Sequence, residues 1–192
     1  MAGLPPSSLT LESRNFILRR LTKADASERL FSWADDDLAA EMLNTKRRQW
    51  SLAEQAAFFA GKPDKVLLAI VPRQQEYPIG FYSLHLQPRI GVFTISHLIS
   101  DAAWRGKDLT AETSDPIYEY LFNKLDYAKA KANVRPQNRP MLWLMLGGKN
   151  WRKEARLVGH LRDAETGERS DLLVLGMLAQ EWRAAREPRS AA

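Results

Sequence analysis

The sequence predicts an α+β fold, a single domain over residues 1–192 whose mixed, mainly antiparallel sheet of about seven strands is flanked by helices. Two observations carry this. Three strand-length runs, over residues 66–71, 79–86 and 92–99, follow one another with only turn residues between them, as in an antiparallel meander. The other strand patterns are interleaved with helical ones. The order reads strand, two helices, three strands, helix, strand, helix, two strands.

Residues 13–21 alternate enough to form the first strand, with Phe16 and Leu18 on one face. Thr22-Lys23-Ala24-Asp25 supplies an N-cap and a first-turn carboxylate, opening a helix that carries Leu30, Phe31 and Trp33. Ser51-Leu52-Ala53-Glu54 is a capping box for a second helix through Phe58 and Phe59, which Gly61-Lys62-Pro63 ends. The unbroken apolar run 66–71 suits a buried strand, and residues 72–78 form a turn between two prolines. After a loop at 100–108, a helix carries Ile117, Leu121 and Leu125 at four-residue spacing, and residues 130–135 are the next strand. Residues 138–146 read as a short buried helix, since 141–146 are apolar on every side. Residues 155–162 and 172–178 are the last strands, turning at 165–168, and 179–186 form a terminal helix. The ends, 1–8 and 187–192, read as short flexible tails.

Apolar residues make up 45% and charged residues 27%, ordinary for a soluble domain, and no apolar run approaches membrane-spanning length. The absence of cysteine excludes a thiol nucleophile, disulfides and a cysteine-built zinc site, and no metal is expected. No basic start followed by an apolar core opens the chain, so the expected location is the cytoplasm. The net charge of +5 suits an anionic ligand. It does not suit nucleic acid, because clusters such as Lys46-Arg47-Arg48 form no basic helix or aromatic-basic stripe.

The most informative stretch is residues 101–112, Asp-Ala-Ala-Trp-Arg-Gly-Lys-Asp-Leu-Thr-Ala-Glu, between a strand pattern and a helical one. Free N–H groups at such a helix start, with the helix dipole behind them, can hold a phosphate. The stretch resembles the pyrophosphate-binding loop of the GNAT superfamily of acyl-CoA N-acyltransferases, whose pattern is Gln/Arg-x-x-Gly-x-Gly/Ala. It departs from that pattern twice. Asp108 stands at the central glycine and Thr110 at the second small residue. The resemblance extends over nearly the whole chain, through residues 19–25, Ile79-Gly80, residues 134–138, residues 154–163 and residues 176–182. It is closest to the branch that acetylates ribosomal-protein N-termini.

The resemblance implies a sheet splayed between its fourth and fifth strands, 92–99 and 130–135, with acetyl-CoA or another acyl-CoA as co-substrate. It implies cofactor contacts at Arg105, Gly106, Lys107, Asp108, Leu109 and Thr110 around the pyrophosphate. Backbone N–H near Leu98 and Ser100 would polarise the thioester carbonyl, and Asn138 would bind an amide of the cofactor arm. As catalytic groups it points to His97, whose ordinary pKa suits a base, and to Glu112. Each has an alternative: His97 as a histidine packed in the sheet, Glu112 as a helix-dipole partner, Asn138 as an N-cap before Pro140. The helix after Asn138 has no Ser, Thr or Tyr before Asn150, where the family commonly places the hydroxyl that protonates the thiolate. Pro116 either lies inside the loop helix or starts a fresh one with Asp115 as N-cap.

Two functions follow. The first is transfer of an acetyl or other small acyl group from acyl-CoA to a primary amine, the acceptor being a small molecule or a protein N-terminus, with residues 33–50 lining the acceptor side. The second is a degenerate domain of the same fold, without ordinary coenzyme A binding, acting as an interaction module. A homodimer is compatible with both. Asp108 separates them. If the loop holds a pyrophosphate, Asp108→Gly removes a repelling charge and tightens acetyl-CoA binding several-fold, about 1 kcal/mol, less at high salt. Unchanged affinity with a lowered melting temperature would instead mark Asp108 as a helix cap.

Overall fold

A computed structural model describes residues 1–31, 49–60, 64–105, 109–148, 150–163 and 166–186. Lys65–Pro72 (β3) is buried from Val66 to Pro72, because neighbours cover it on both faces, and this is why its sequence is apolar without alternation. Antiparallel partners lie on either side: Phe16–Arg20 (β2), paired Leu18 to Ile70, and Gly80–Gln87 (β4), paired Leu68 to Tyr82. Val92–Ile99 (β5) completes the meander at the bounds expected from sequence. Beyond it come Lys129–Val134 (β6), Arg169–Leu178 (β8) and Arg152–Arg162 (β7), the last an edge strand. With Thr10–Glu12 (β1) on β2, the sheet has eight strands in the order β1-β2-β3-β4-β5-β6-β8-β7. The extra strand, β1, is too short to show alternation.

The two sheet faces have separate cores. One gathers Leu68, Ile70, Tyr82, Leu84, Phe93 and Ile95 under Leu109–Glu119 (α3), whose Ile117 is fully buried. The other sets Leu67, Ala69, Val71 and Phe81 against Glu28–Phe31 (α1) and Leu52–Ala60 (α2). Two sequence signals are visible as bonds. Arg19 grips Asp25 through both guanidinium nitrogens, at 2.9 and 2.6 Å, while Thr22 N–H donates to the same carboxylate. Ser51 and Glu54 form the reciprocal capping box of α2. Trp33 and the helix stop at 61–63 lie outside the described residues.

β5 and β6 are parallel, so the chain between them must cross over, and α3 is that crossover. Pro116 lies inside α3, which runs on to Glu119 and widens into a π-helical stretch, Tyr120–Lys124. Asp115 therefore starts no new helix; its carboxylate pairs with Arg186. Arg139–Gly147 (α4) departs from the buried helix expected. No residue of it is buried, and Trp143 is 79% exposed, because one flank borders a cavity and the other faces solvent. Ala179–Ala184 (α5) closes the chain's described part. No helix among the described residues is long and apolar enough to cross a membrane.

The decisive feature is where β5 and β6 part. They pair only at Val92–Lys129, Phe93–Ala130 and Thr94–Lys131, whereas β5 runs on beside β4 and β6 beside β8. From Ile95 and Ala132 onward the sheet is split. At the open end, Gly80 lets β4 lie close against β5: a Cβ there would sit 2.2 Å from the Leu98 carbonyl oxygen. Backbone cannot yield as a side chain would. Gly80→Ala should therefore lower stability by about 2 kcal/mol or more, measured by urea unfolding; a change within 0.5 kcal/mol would contradict this packing.

Candidate functional site

Neighbouring residues in a strand aim their amides at opposite sides. Ser100 N–H donates to the Ile79 carbonyl at 2.9 Å, so residues 94, 96, 98 and 100 serve β4 and residues 93, 95, 97 and 99 face β6. Past Thr94 there is no β6 to meet them. The backbone of Ile95, His97 and Ile99 thus opens onto the split, and the amides of Leu98 and Ser100 turn away from it. The Ile99 carbonyl accepts from Arg105 Nε at 3.2 Å, and Arg105 Nη2 reaches the Ser100 carbonyl at 3.4 Å, folding the guanidinium back over the strand end.

The split leads into a cavity of about 570 Å³ between α3 and α4. Its wall is mainly apolar, with Met141, Leu144 and Met145 from α4 facing Ala111 and Tyr118 from α3. His97 lies on this wall, its ring 5.3 Å from that of Tyr82 and its Nε2 3.3 Å from Thr110 Oγ1. Burial lowers its pKa from 6.5 to about 4, so the imidazole is neutral at pH 7. Asn138 also lines the cavity; its Oδ1 caps α4 by accepting from Met141 N–H at 3.2 Å. The side chain thus caps the helix, the alternative its sequence position offered, and stands on the wall of the cleft.

The structure separates the remaining candidates. Leu109 is buried in the core at the start of α3 and Thr110 faces the cavity. Gly106, Lys107 and Asp108 lie outside the described residues. Glu112 is not on the cavity wall. Its carboxylate accepts from Asn15 N–H at 2.7 Å, Ser13 Oγ at 2.8 Å and Asn15 Nδ2 at 3.0 Å, tying α3 to the β1–β2 turn. Partial burial alone would raise its pKa, but these hydrogen bonds outweigh it and hold the carboxylate below its usual range.

Sequence reasoning missed Tyr118. It reaches the cavity from α3, one turn beyond Ser114, and burial pushes its phenol up to about 12. The four-residue spacing from Ser114 puts it on the same helix face, a signal that holds only if the helix continues through Pro116, as it does. Arg135, paired with Asp163 at 3.2 Å, and Arg186, paired with Asp115 and stacked 4.2 Å over Trp182, also line the wall.

On the opposite face of the sheet a smaller cavity of about 210 Å³ is lined by Phe31, Trp50, Phe58, Phe81, Ser83 and Leu98, and it too touches Ser96 and His97. The two cavities therefore share one stretch of β5, Ser96 and His97, just beyond its last pairing with β6. Of the stretch 33–50 expected on the acceptor side, Trp50 is on this wall, while 32–48 lie outside the described residues.

The chain matches the family model described as an acetyltransferase (GNAT) domain over residues 15–146. Similar solved structures include a GCN5-related N-acetyltransferase from Brucella melitensis, with TM-score 0.77 and 19% identity over 97% of this chain and 86% of that one. Another is the acetyltransferase of the GNAT family from Bacillus anthracis, with TM-score 0.74 and 13% identity over 90% and 99%. A third is spermidine N-acetyltransferase from Vibrio cholerae in complex with CoA and spermine, with TM-score 0.76 and 15% identity over 88% and 98%. No curated protein matches the sequence.

The partly buried His97 makes a pH prediction. Its folded pKa lies below the unfolded value, so the unfolded chain takes the proton first and stability falls as pH drops from about 6.5 toward 4. NMR should place its titration midpoint near 4, and His97→Gln should flatten that part of the stability curve. A midpoint near 6.5 would refute the burial argument.

Proposed function

The chain belongs to the GNAT acetyltransferase family, and from that premise we propose that it transfers an acetyl group from acetyl-CoA to a primary amine. The observation that carries this reading is that two cavities, on opposite faces of one split sheet, both border Ser96 and His97. A donor can enter between α3 and α4, an acceptor between α1, α2 and the sheet, and their reacting ends meet where the strands part.

The fit to the donor rests on the unladdered edge of β5 and the apolar walls beside it. An extended arm with amide groups can hydrogen-bond the backbone of Ile95, His97 and Ile99 in place of a strand, while Asn138 and the α4 methionines line its other side. The start of α3, at Leu109 to Ala111, is where N–H groups with no partner inside the helix can meet a diphosphate. Acetyl-CoA supplies the acetyl group as a thioester, and the amine nitrogen replaces sulfur on the carbonyl carbon. The outward N–H groups of β5 stabilise the oxyanion that forms. Tyr118, holding its proton, donates a hydrogen bond toward the departing sulfur.

His97 is too weak a base to strip an ammonium ion. The amine loses its proton to water, and kcat/KM should climb with pH without an inflection near 6.5. Glu112 acts at a distance, by fixing α3 against the β1–β2 turn. The resemblance to the branch that acetylates ribosomal-protein N-termini rests on residues 19–25 and 176–182. It supports a terminal amine as acceptor, alongside small amines.

Calorimetry with acetyl-CoA tests the reading directly. Binding in the micromolar range is expected, about −8 kcal/mol, with coenzyme A competing for the same site. No heat up to millimolar acetyl-CoA would overturn it in favour of an interaction module.

A further inference from the structure

Too weak a base to take the amine's proton, His97 is nevertheless held from two sides. Its Nε2 lies 3.3 Å from Thr110 Oγ1, and its ring lies 5.3 Å from that of Tyr82, the residue opposite it on β4. Tyr82 in turn holds the start of α3. Its hydroxyl lies 2.8 Å from Thr113 Oγ1 and 3.3 Å from the Thr110 carbonyl, while Thr113 Oγ1 donates to the Leu109 carbonyl at 2.8 Å. Tyr82 and Thr113 are 1% and 0% exposed, so water does not compete for these bonds. Together β4, β5 and the first turn of α3 form a triangle, and the Thr110–His97 contact closes it.

That contact falls where the sheet lacks other support. Through Thr94, β5 is paired on both edges; from Ile95 onward, among the described residues, it is paired only with β4. The His97 amide lies on the open edge, among those proposed above to stabilise the oxyanion. Such an amide helps only if it is fixed before the charge forms, because reorientation during the reaction adds to the barrier. What restrains the His97 backbone there is the ladder its neighbours Ser96 and Leu98 make with β4, together with its own side chain. The anchor for that side chain is on α3. Threonine suits the task, since its hydroxyl can donate to a bare Nε2 or accept from Nε2–H, and either neutral tautomer keeps the bond. Thr110 is also one of the two departures of this loop from the GNAT pattern, which places glycine or alanine there.

Resting on the acetyl-transfer reading above, we propose that Thr110 is a positioning residue for the thioester: through its bond to His97 it holds the open edge of β5 in the orientation that polarises the carbonyl of bound acetyl-CoA. It acts by way of His97 rather than on the thioester itself.

Infrared spectroscopy of the full chain with acetyl-CoA carrying a carbon-13 label at the acetyl carbonyl reads this polarisation without any acceptor amine, because hydrogen bonds to a carbonyl lower its stretching frequency. In the wild-type complex the stretch should lie below that of free acetyl-CoA. Thr110→Val keeps the shape and removes the hydroxyl. It should lose about half of that downshift or more, with the calorimetric Kd for acetyl-CoA changed less than about threefold. Thr110→Ser should retain the downshift. Thr110→Ala, which brings the loop closer to the GNAT pattern, should bind acetyl-CoA at least as tightly as the wild type and still lose the downshift, so affinity and polarisation part company. Melting temperatures identify a variant that fails to fold, and Val and Ala each suffice for the comparison. A full downshift in a folded Val or Ala variant, no downshift in the wild-type complex, or loss of acetyl-CoA binding in the folded variants would overturn the inference and leave the acetyl-transfer reading standing. Absence of acetyl-CoA binding to the wild-type chain would overturn both.

Discussion

Everything at the site depends on how few bonds join β5 to β6. Each strand has a full ladder with another partner, β5 with β4 over eight residue pairs and β6 with β8 over six, but only three pairs hold them to each other. The closed end is pinned just before those pairs. Ala128 and Lys129 N–H both donate to the Gly91 carbonyl, at 2.8 and 3.2 Å, and Gly91 adopts a φ of 63° to present it. That conformation is ordinary for glycine and strained for other residues. The protein is best regarded as two half-sheets tied at one end, with the cleft as the untied remainder. Both cavities, the exposed amides of β5 and the position of α3 across the gap follow from this one arrangement.

The half-sheets also explain which charges stay structural. Glu112 lies at the start of α3, where a carboxylate invites a catalytic reading, yet its oxygens are saturated by Ser13 and Asn15. Glu112 ties the crossover helix to the half-sheet that holds β1 and β2. His97 shows the reverse. It faces the cleft at the right place, but the apolar wall that makes the cavity also lowers its basicity.

Legibility in the sequence followed how local each signal is. The meander could be read because its strands are bounded by turn residues and packed by their own neighbours, and β5 matches residue for residue. The capping box at Ser51 and the Arg19–Asp25 pair were local too. The α4 helix misled, since Met141 and Met145 are apolar for a cavity rather than a core, and Trp143 faces solvent; periodicity does not say what lies opposite a helix. Tyr118 was hidden because its role depends on a gap between two strands distant in sequence. The alternation that sends the Ser100 amide to β4 and the His97 amide into the cleft needs the pairing register, which sequence alone left one residue uncertain.

β7 ends the sheet, and among the described residues no strand pairs with its outer edge over the eleven residues Arg152 to Arg162. A bare edge of that length is a template on which another chain can add a strand, and Val158, 83% exposed, would strengthen such a contact. The side chains around it work against this. Arg152, Lys153, Arg156 and Arg162 are exposed along the same strand, and the register with β8 is interrupted twice, between Lys153 and Ala155 and between Leu157 and Leu161. Stacking two copies edge to edge would bring these cations together and meet an irregular ladder. The strand at the rim thus carries features that disfavour edge-to-edge pairing, unconnected with the cleft that the rest of the sheet opens.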